Sequence, residues 1–365
     1  MIVSERIKNI NLQLFAESGT VVNTFTGDVN AYTGAGNQTT ALESQRKTYY
    51  NTVLLQNSYP DLRYQQLGRR ENLPANHGQT LEWRRPNKMP HIDKLVEGVI
   101  PEGKKIGMTS INVSIAEYGA FFAVTKQVKL HAVDPILQKF TEELAHSAAE
   151  TIDCIVRNEL LTNTNIMCAD VTNASTGAYV STPATPQALA TALATAGNTA
   201  LLTPDTIHLG ATQLRDDKVP FYSGNDYIAV IHPYTAYDLI RSEEWEEYHK
   251  YVRPEDMYNG EIGKLHGARF VETSLAPIVS VNGKLLCATM LFGRDSFGVV
   301  DVSGSSMETI IKSEREAGGP LNQFGTCGVK CETACKILYP ERFIVIWHTI
   351  SQASRVTANC ELPST

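Results

Sequence analysis

The chain has 365 residues, 42% hydrophobic and 19% charged, the composition of a globular protein with a sizeable core rather than of a disordered or membrane-embedded one. Its formal net charge of −7 argues against a protein that grips nucleic acid through phosphates, which calls for a basic excess or stripe. Seven cysteines, an odd number spread from Cys154 to Cys360 without a paired framework, fit a reducing compartment.

The N-terminal stretch MIVSERIKNINLQLFAES carries only the short apolar piece Leu12 to Ala16, with Glu5, Arg6 and Lys8 upstream. That is neither the apolar region of a signal peptide nor a membrane span. Residues 18–40 are rich in Thr, Gly and Asn, with Asp28 as the one charge, and predict an extended or mobile arm. A helical pattern through Leu42, Tyr49, Tyr50, Val53 and Leu54 follows and stops near Pro60.

QTLEWRRP (79–86) and TSINVSIAE (109–117) read as strands, the second with Ile111, Val113 and Ile115 on one side. The connection between them is long and polar, with two prolines and three glycines, so the pair predicts an extended hairpin rather than a tight turn. Its charges are local and mixed. Such a segment is either a solvated loop or an arm lying across a neighbouring subunit.

Asp134-Pro135 suits the start of a helix, Asp as cap and Pro at the first helical position. Leu137, Phe140, Leu144, Ala148, Ile152, Ile155 or Val156, and Leu160 then keep one apolar stripe to about Asn163, roughly 40 Å of helix. This is a structural spine. Two shorter helices are expected near 186–196 and 204–217, then a strand at DYIAVIH (226–232), a helix from Pro233 and a strand at GARFVET (267–273). Beyond residue 285, GKLLCATMLFG, FGVVDVSG, METIIKS, TCGVKCETACKIL and ERFIVIWHTIS all read as strands. The short link LYPE predicts that the last two form a hairpin, and the spine helix is expected to pack on the sheet that holds them.

In TCGVKCETACKIL the apolar and small residues alternate with Lys330, Glu332 and Lys336, the period of a half-buried strand. Strand residues four apart are separated by roughly 13 Å. Thiolates on one zinc must each lie about 2.3 Å from the metal. Cys327, Cys331 and Cys335 therefore predict buried free thiols, and no metal site. No phosphate-binding loop, nucleophile elbow or His pair at helical metal spacing occurs. His232, directly before Pro233, is expected to cap a helix rather than to catalyse. No catalytic residue and no cofactor site is expected.

The order of elements resembles the major capsid proteins of tailed phages with the Hong Kong 97-like fold. The wording is similar to the coat-protein family typified by phage N-four in NLQLFAE (11–17), LVEGVIPEGKKI (95–106), IHPYTAYDLI (231–240) and YNGEIGKLHGARFVETS (258–274). LFGRDSFGVV (291–300) and GGPLNQFGTCGVKCETACKIL (318–338) extend it over most of the chain, with the cysteines departing from the family's usual residues. The resemblance implies an α+β fold with an N-terminal arm (1–48), an extended loop (70–117) and an axial α/β domain (186–285). A discontinuous peripheral domain (49–69, 118–185 and 286–365) would carry the spine helix.

It further implies self-assembly through hexamers and pentamers into an icosahedral shell around double-stranded DNA, without sequence-specific binding. Scaffolding, portal or cement proteins are the further partners that it allows, with no membrane. The protein would be made in the bacterial cytoplasm and reside in the virion capsid. Candidate intersubunit contacts are Arg69, Arg70, Arg84, Arg85, Lys88, Lys94, Glu97, Glu102, Lys104 and Lys105. The alternative from another class is an α/β enzyme whose site the sequence does not display.

Overall fold

The computed structural model describes residues 21–23, 29–31, 63–74, 78–89, 91–92, 94, 98, 103–131, 136–245, 261–302, 307–317 and 321–362. The helix expected before Pro60 and the Asp134 cap lie outside them. The chain forms two compact units, one of residues 1–62, 116–152 and 301–333, the other of 63–115, 153–300 and 334–365. No helix among the described residues is long and apolar enough to cross a membrane.

In the first unit the strand Ala116–Thr125 pairs antiparallel with the cysteine strand Phe324–Ile337, from Thr125 opposite Phe324 to Ala116 opposite Thr333. Glu308–Lys312 pairs with residues 326–330 of that same strand. Two short antiparallel strands, Val21–Asn23 and Val29–Ala31, sit where an extended or mobile arm was expected. Ala116–Thr125 was itself not legible as a strand, because Phe121 and Phe122 in succession break its alternation.

The cysteine strand alternates as predicted. Cys327, Val329, Cys331 and Thr333 are buried, while Gly328, Lys330 and Glu332 are not. Its apolar face meets the helix Ile136–Leu160, where Ala145 and Ala148 pack with Val329, and Ala149 and Ile152 with Cys331. Small side chains on both surfaces let the helix lie close to the sheet. The contact line therefore takes in Leu144, Ala148 and Ile152 of the expected stripe and adds Ala145 and Ala149 beside it. Phe140 is 41% exposed and meets Phe122, opposite Cys327 in the same sheet, edge-on at 5.4 Å.

The second unit is built on a sheet ordered Glu261–Leu265, Ala268–Glu272, Tyr227–Ile231, Lys284–Phe292, Phe343–His348, Ile166–Cys168. Tyr227–Ile231 runs parallel to Ala268–Glu272, and Phe343–His348 parallel to Ile166–Cys168; Lys284–Phe292 is antiparallel to both of its neighbours. Helix Pro186–Ala192 covers one face, packing with Val230, Met290, Val345 and Trp347. Helices Pro204–Asp216 and Pro233–Ile240 cover the other, over Ala229, Ile231, Leu291, Ile344 and Ile346. With both faces covered, every residue of Tyr227–Ile231 and Phe343–His348 is buried, and the strands read as continuous apolar runs.

This corrects the expected hairpin. Phe343–His348 pairs with Lys284–Phe292 and Ile166–Cys168, not with the cysteine strand. A strand without a polar face belongs in a two-sided layer, and the half-polar cysteine strand does not offer one. The three helices begin as their sequences dictate, each with Pro at its start. Thr185 and Thr203 accept from the backbone N–H groups of Ala188 and Thr206 (3.2 Å each), and His232 Nδ1 accepts from Tyr234 N (3.2 Å). His232 is a cap.

A candidate intersubunit hairpin

Thr80–Pro86 and Met108–Ser114 form the expected hairpin, an unbroken antiparallel ladder from Thr80 opposite Ser114 to Pro86 opposite Met108. It is closed at both ends. Gln79 Nε2 donates to the Ile115 carbonyl (3.0 Å) and Ile115 N to the Gln79 carbonyl (2.9 Å) at one. At the other, Asn87 N donates to the Gly107 carbonyl (2.8 Å) and the Thr109 hydroxyl to Asn87 Oδ1 (2.7 Å).

The ladder has two unlike faces. Leu81, Trp83 and Arg85 are half-buried opposite Val113, Ile111 and Thr109, whereas Glu82, Arg84, Asn112 and Ser110 are exposed. Trp83 lies on the backbone of Gly298, where an added Cβ would come within 2.8 Å of the indole and 3.3 Å of a Leu338 methyl. Only glycine allows that approach. Arg85 donates to the Leu338 carbonyl (3.1 Å), lies 3.7 Å from Glu341 and sits 5.2 Å from the centre of the Tyr339 ring. Arg342 stacks on the same ring at 3.6 Å. Trp83 and Arg85 thus anchor the stem.

The candidate charges divide accordingly. Arg85 belongs to the anchor. Arg84 pairs with Glu82 (3.1 Å), and Arg69 with Glu71 (2.7 Å), two residues away on the same strand face. The hydrogen bond from Arg84 holds the Glu82 carboxyl below its usual range. Arg70, Lys88, Lys94 and Lys105 are exposed, and Lys104 Nζ donates to the His91 carbonyl. Glu97 and Glu102 lie outside the described residues. What charge counting missed is apolar: Met89 (48%), Ile92 (96%), Ile106 (63%) and Met108 (70%) are exposed on and beside the connection. The sequence printed those side chains among prolines and charges, where no period marks them.

A buried polar knot was also missed. The Asp153 carboxylate accepts from the backbone N–H groups of Arg63 (3.1 Å), Tyr64 (3.0 Å) and Gln65 (3.2 Å), at the start of the short helix Tyr64–Leu67 that leads to the hairpin. Burial pushes the Asp153 carboxyl up, against those donors and the Arg157 charge. Arg157, itself buried, donates to the carbonyls of Leu275 (2.9 Å) and Asn359 (3.2 Å). The available signal was an Asp and an Arg four apart on the stripe that carries Val156 and Leu160.

The thiols of Cys327, Cys331 and Cys335 are free and buried, and burial pushes all three up, disfavouring the thiolate. No group of three or more His, Cys, Asp and Glu among the described residues is placed to hold a metal ion.

A family model described as phage capsid protein matches residues 108–322. No curated protein matches the chain. The capsid structure of Cyanophage P-SCSP1u is similar with a TM-score of 0.53, at 13% identity over 90% of this chain and 93% of its own. The capsid of Ralstonia phage GP4 gives 0.55, at 11% identity over 78% and 88%. The acidic stable capsid of Helicobacter pylori bacteriophage KHP30 gives 0.57, at 12% identity over 76% and 86%. At these identities the likeness is one of fold.

Proposed function

The chain belongs to the phage capsid protein family and is a structural major capsid protein of the Hong Kong 97-like fold, not an enzyme; from that premise we propose that the hairpin is its extended loop and is completed by a neighbouring subunit. The observation that carries this reading is the contrast along the hairpin. Its stem is anchored through Trp83 and Arg85, yet Ile92, Ile106 and Met108 stay more than half exposed. Apolar side chains gathered on a projecting segment gain their burial from another chain.

In this reading, residues 70–117 lie over the next subunit and residues 1–48 strap another. The spine helix and cysteine strand form the peripheral domain. The axial domain is the 186–285 excursion together with Lys284–Phe292 and Phe343–His348, which complete its sheet. Copies join as hexamers and pentamers into an icosahedral shell around double-stranded DNA. A chain of net charge −7 suits a container that must not hold its cargo fast during packaging. Synthesis takes place in the host cytoplasm. Negative-stain electron microscopy of the purified full chain tests this: shells, tubes or capsomers are expected, and a protein that stays monomeric across salt, pH and concentration contradicts it.

A further inference from the structure

The sequence offers no pair of histidines at helical metal spacing, but the fold brings two together. His208 is exposed on the helix Pro204–Asp216, and His266 is half-buried between the strands Glu261–Leu265 and Ala268–Glu272. Their ring centres lie 4.6 Å apart, with the ring planes at 50°. Both belong to the second unit.

His266 is placed by its backbone. Leu265 pairs with Ala268, so His266 and Gly267 are the two residues of a tight hairpin turn, with φ of 50° and 84°. Two-residue hairpin loops favour successive positive φ values, and histidine is among the non-glycine residues that adopt one. Arg215, two helical turns after His208 on the same face, donates to the His266 carbonyl (3.1 Å). A Cβ at Gly267 would collide with that guanidinium, so glycine lets the helix be tied to the turn. From the other side, Tyr227 N donates to the Gly267 carbonyl (2.8 Å). The helix thus grips the turn through Arg215 and faces its imidazole with His208.

We propose that His208 and His266 form a binding site for a divalent transition-metal ion of the class that imidazole suits, Ni²⁺, Cu²⁺ or Zn²⁺, with water in the remaining coordination positions. Two imidazole nitrogens about 2.0–2.1 Å from one ion place the ring centres roughly 4.5–5 Å apart, which matches the pair. Mg²⁺ and Ca²⁺ call for oxygen ligands and are not expected there. No third His, Cys, Asp or Glu among the described residues completes the set, so the ion is held by two protein ligands and exchanges with solvent. Asp205, one turn before His208 on the same helix, adds a negative charge.

Burial and then the neighbouring His208 lower the His266 pKa, as does Arg215, while Glu244 and Asp205 oppose them. The ring therefore keeps a lone pair for metal at neutral pH. Protonation of either ring gives up a ligand nitrogen, so binding falls as the pH drops through the histidine range.

The test titrates the full chain, without a histidine tag and with its thiols kept reduced, with Zn²⁺ alone and with Ni²⁺ alone by calorimetry at pH 7.5 and 5.5. One ion per chain is expected at the higher pH and loss of binding at the lower. His208→Ala, at an exposed helical position, and His266→Asn, which suits the left-handed turn, should each weaken that binding by about tenfold or more. Zn²⁺ should raise the thermal midpoint of the unaltered chain and leave that of either variant where it is. If His266→Asn does not fold, His208→Ala decides. No binding, or binding that survives both substitutions because thiols or other histidines hold the ion, would overturn the site. Both rings belong to one subunit, so the outcome does not depend on whether shells form.

Discussion

The hairpin and the strand Phe343–His348 belong to the same unit, and their side chains go to opposite places. Every residue of Phe343–His348 is buried within the subunit, between helices on two faces. The hairpin keeps one face half-buried at its stem and leaves Ile92 96% exposed at its connection. Regular hydrogen-bonded ladders occur in both, so pairing alone does not say what a strand is for. Burial says it. The sheet holds the subunit together, and in the proposed reading the hairpin is completed by a neighbour.

The comparison breaks first if the sheet tolerates loss of its largest side chain. Trp347 is 1% exposed, and Trp347→Ala should cost about 3–5 kcal/mol, read by chemical denaturation of the subunit. A cost below about 1 kcal/mol would mean that this sheet is not the core.

Next comes the neighbouring His348. Its ring is fully buried, with Nδ1–H donating to the Thr349 carbonyl (3.0 Å) and Nε2 accepting from the Thr289 hydroxyl (2.9 Å). Burial lowers its pKa to about 4, with Asp238 opposing and His232 reinforcing. The unfolded chain takes up the proton first, at its ordinary pKa of about 6.5. Stability is therefore full above that pH and falls as the pH drops toward 4, by about 3 kcal/mol in all. His348→Gln should flatten that acid limb, as followed by denaturation at successive pH values. An unchanged limb would place the titrating group elsewhere.

Most of this contrast was legible in the sequence, for a physical reason. Alternation in TSINVSIAE and in the cysteine stretch marked strands with one covered face, and the unbroken runs DYIAVIH and FIVIWH marked apolar strands. Partner choice was not legible. Phe343–His348 was assigned to its neighbour in sequence, because an apolar run states that both faces are covered without saying by what. Asp153 and Arg157 stayed hidden for a related reason. Their partners are backbone groups at 63–65, Leu275 and Asn359, which carry no side-chain signature. The hairpin's exposed apolar residues were passed over because charges outnumber them.

Phe140 sharpens the comparison at an intermediate level. Partly exposed and touching Phe122 edge-on, it should lose only about 1–2 kcal/mol on replacement by Ala, against about 3–5 for a fully buried ring. A larger loss in thermal and chemical denaturation would mean that its exposed edge is covered in solution.

The smallest stability effect, and the largest functional one, is expected at the hairpin. Replacing residues 87–107 by an Asn-Gly turn keeps the stem ladder and removes Met89, Ile92 and Ile106. Subunit stability should change by less than about 0.5 kcal/mol, since every described residue of the replaced segment is exposed. The decisive measurement is electron microscopy of this variant beside the full chain under conditions in which the full chain assembles. The account predicts folded, soluble subunits or isolated capsomers and no closed particles; closed shells from the shortened chain would contradict it.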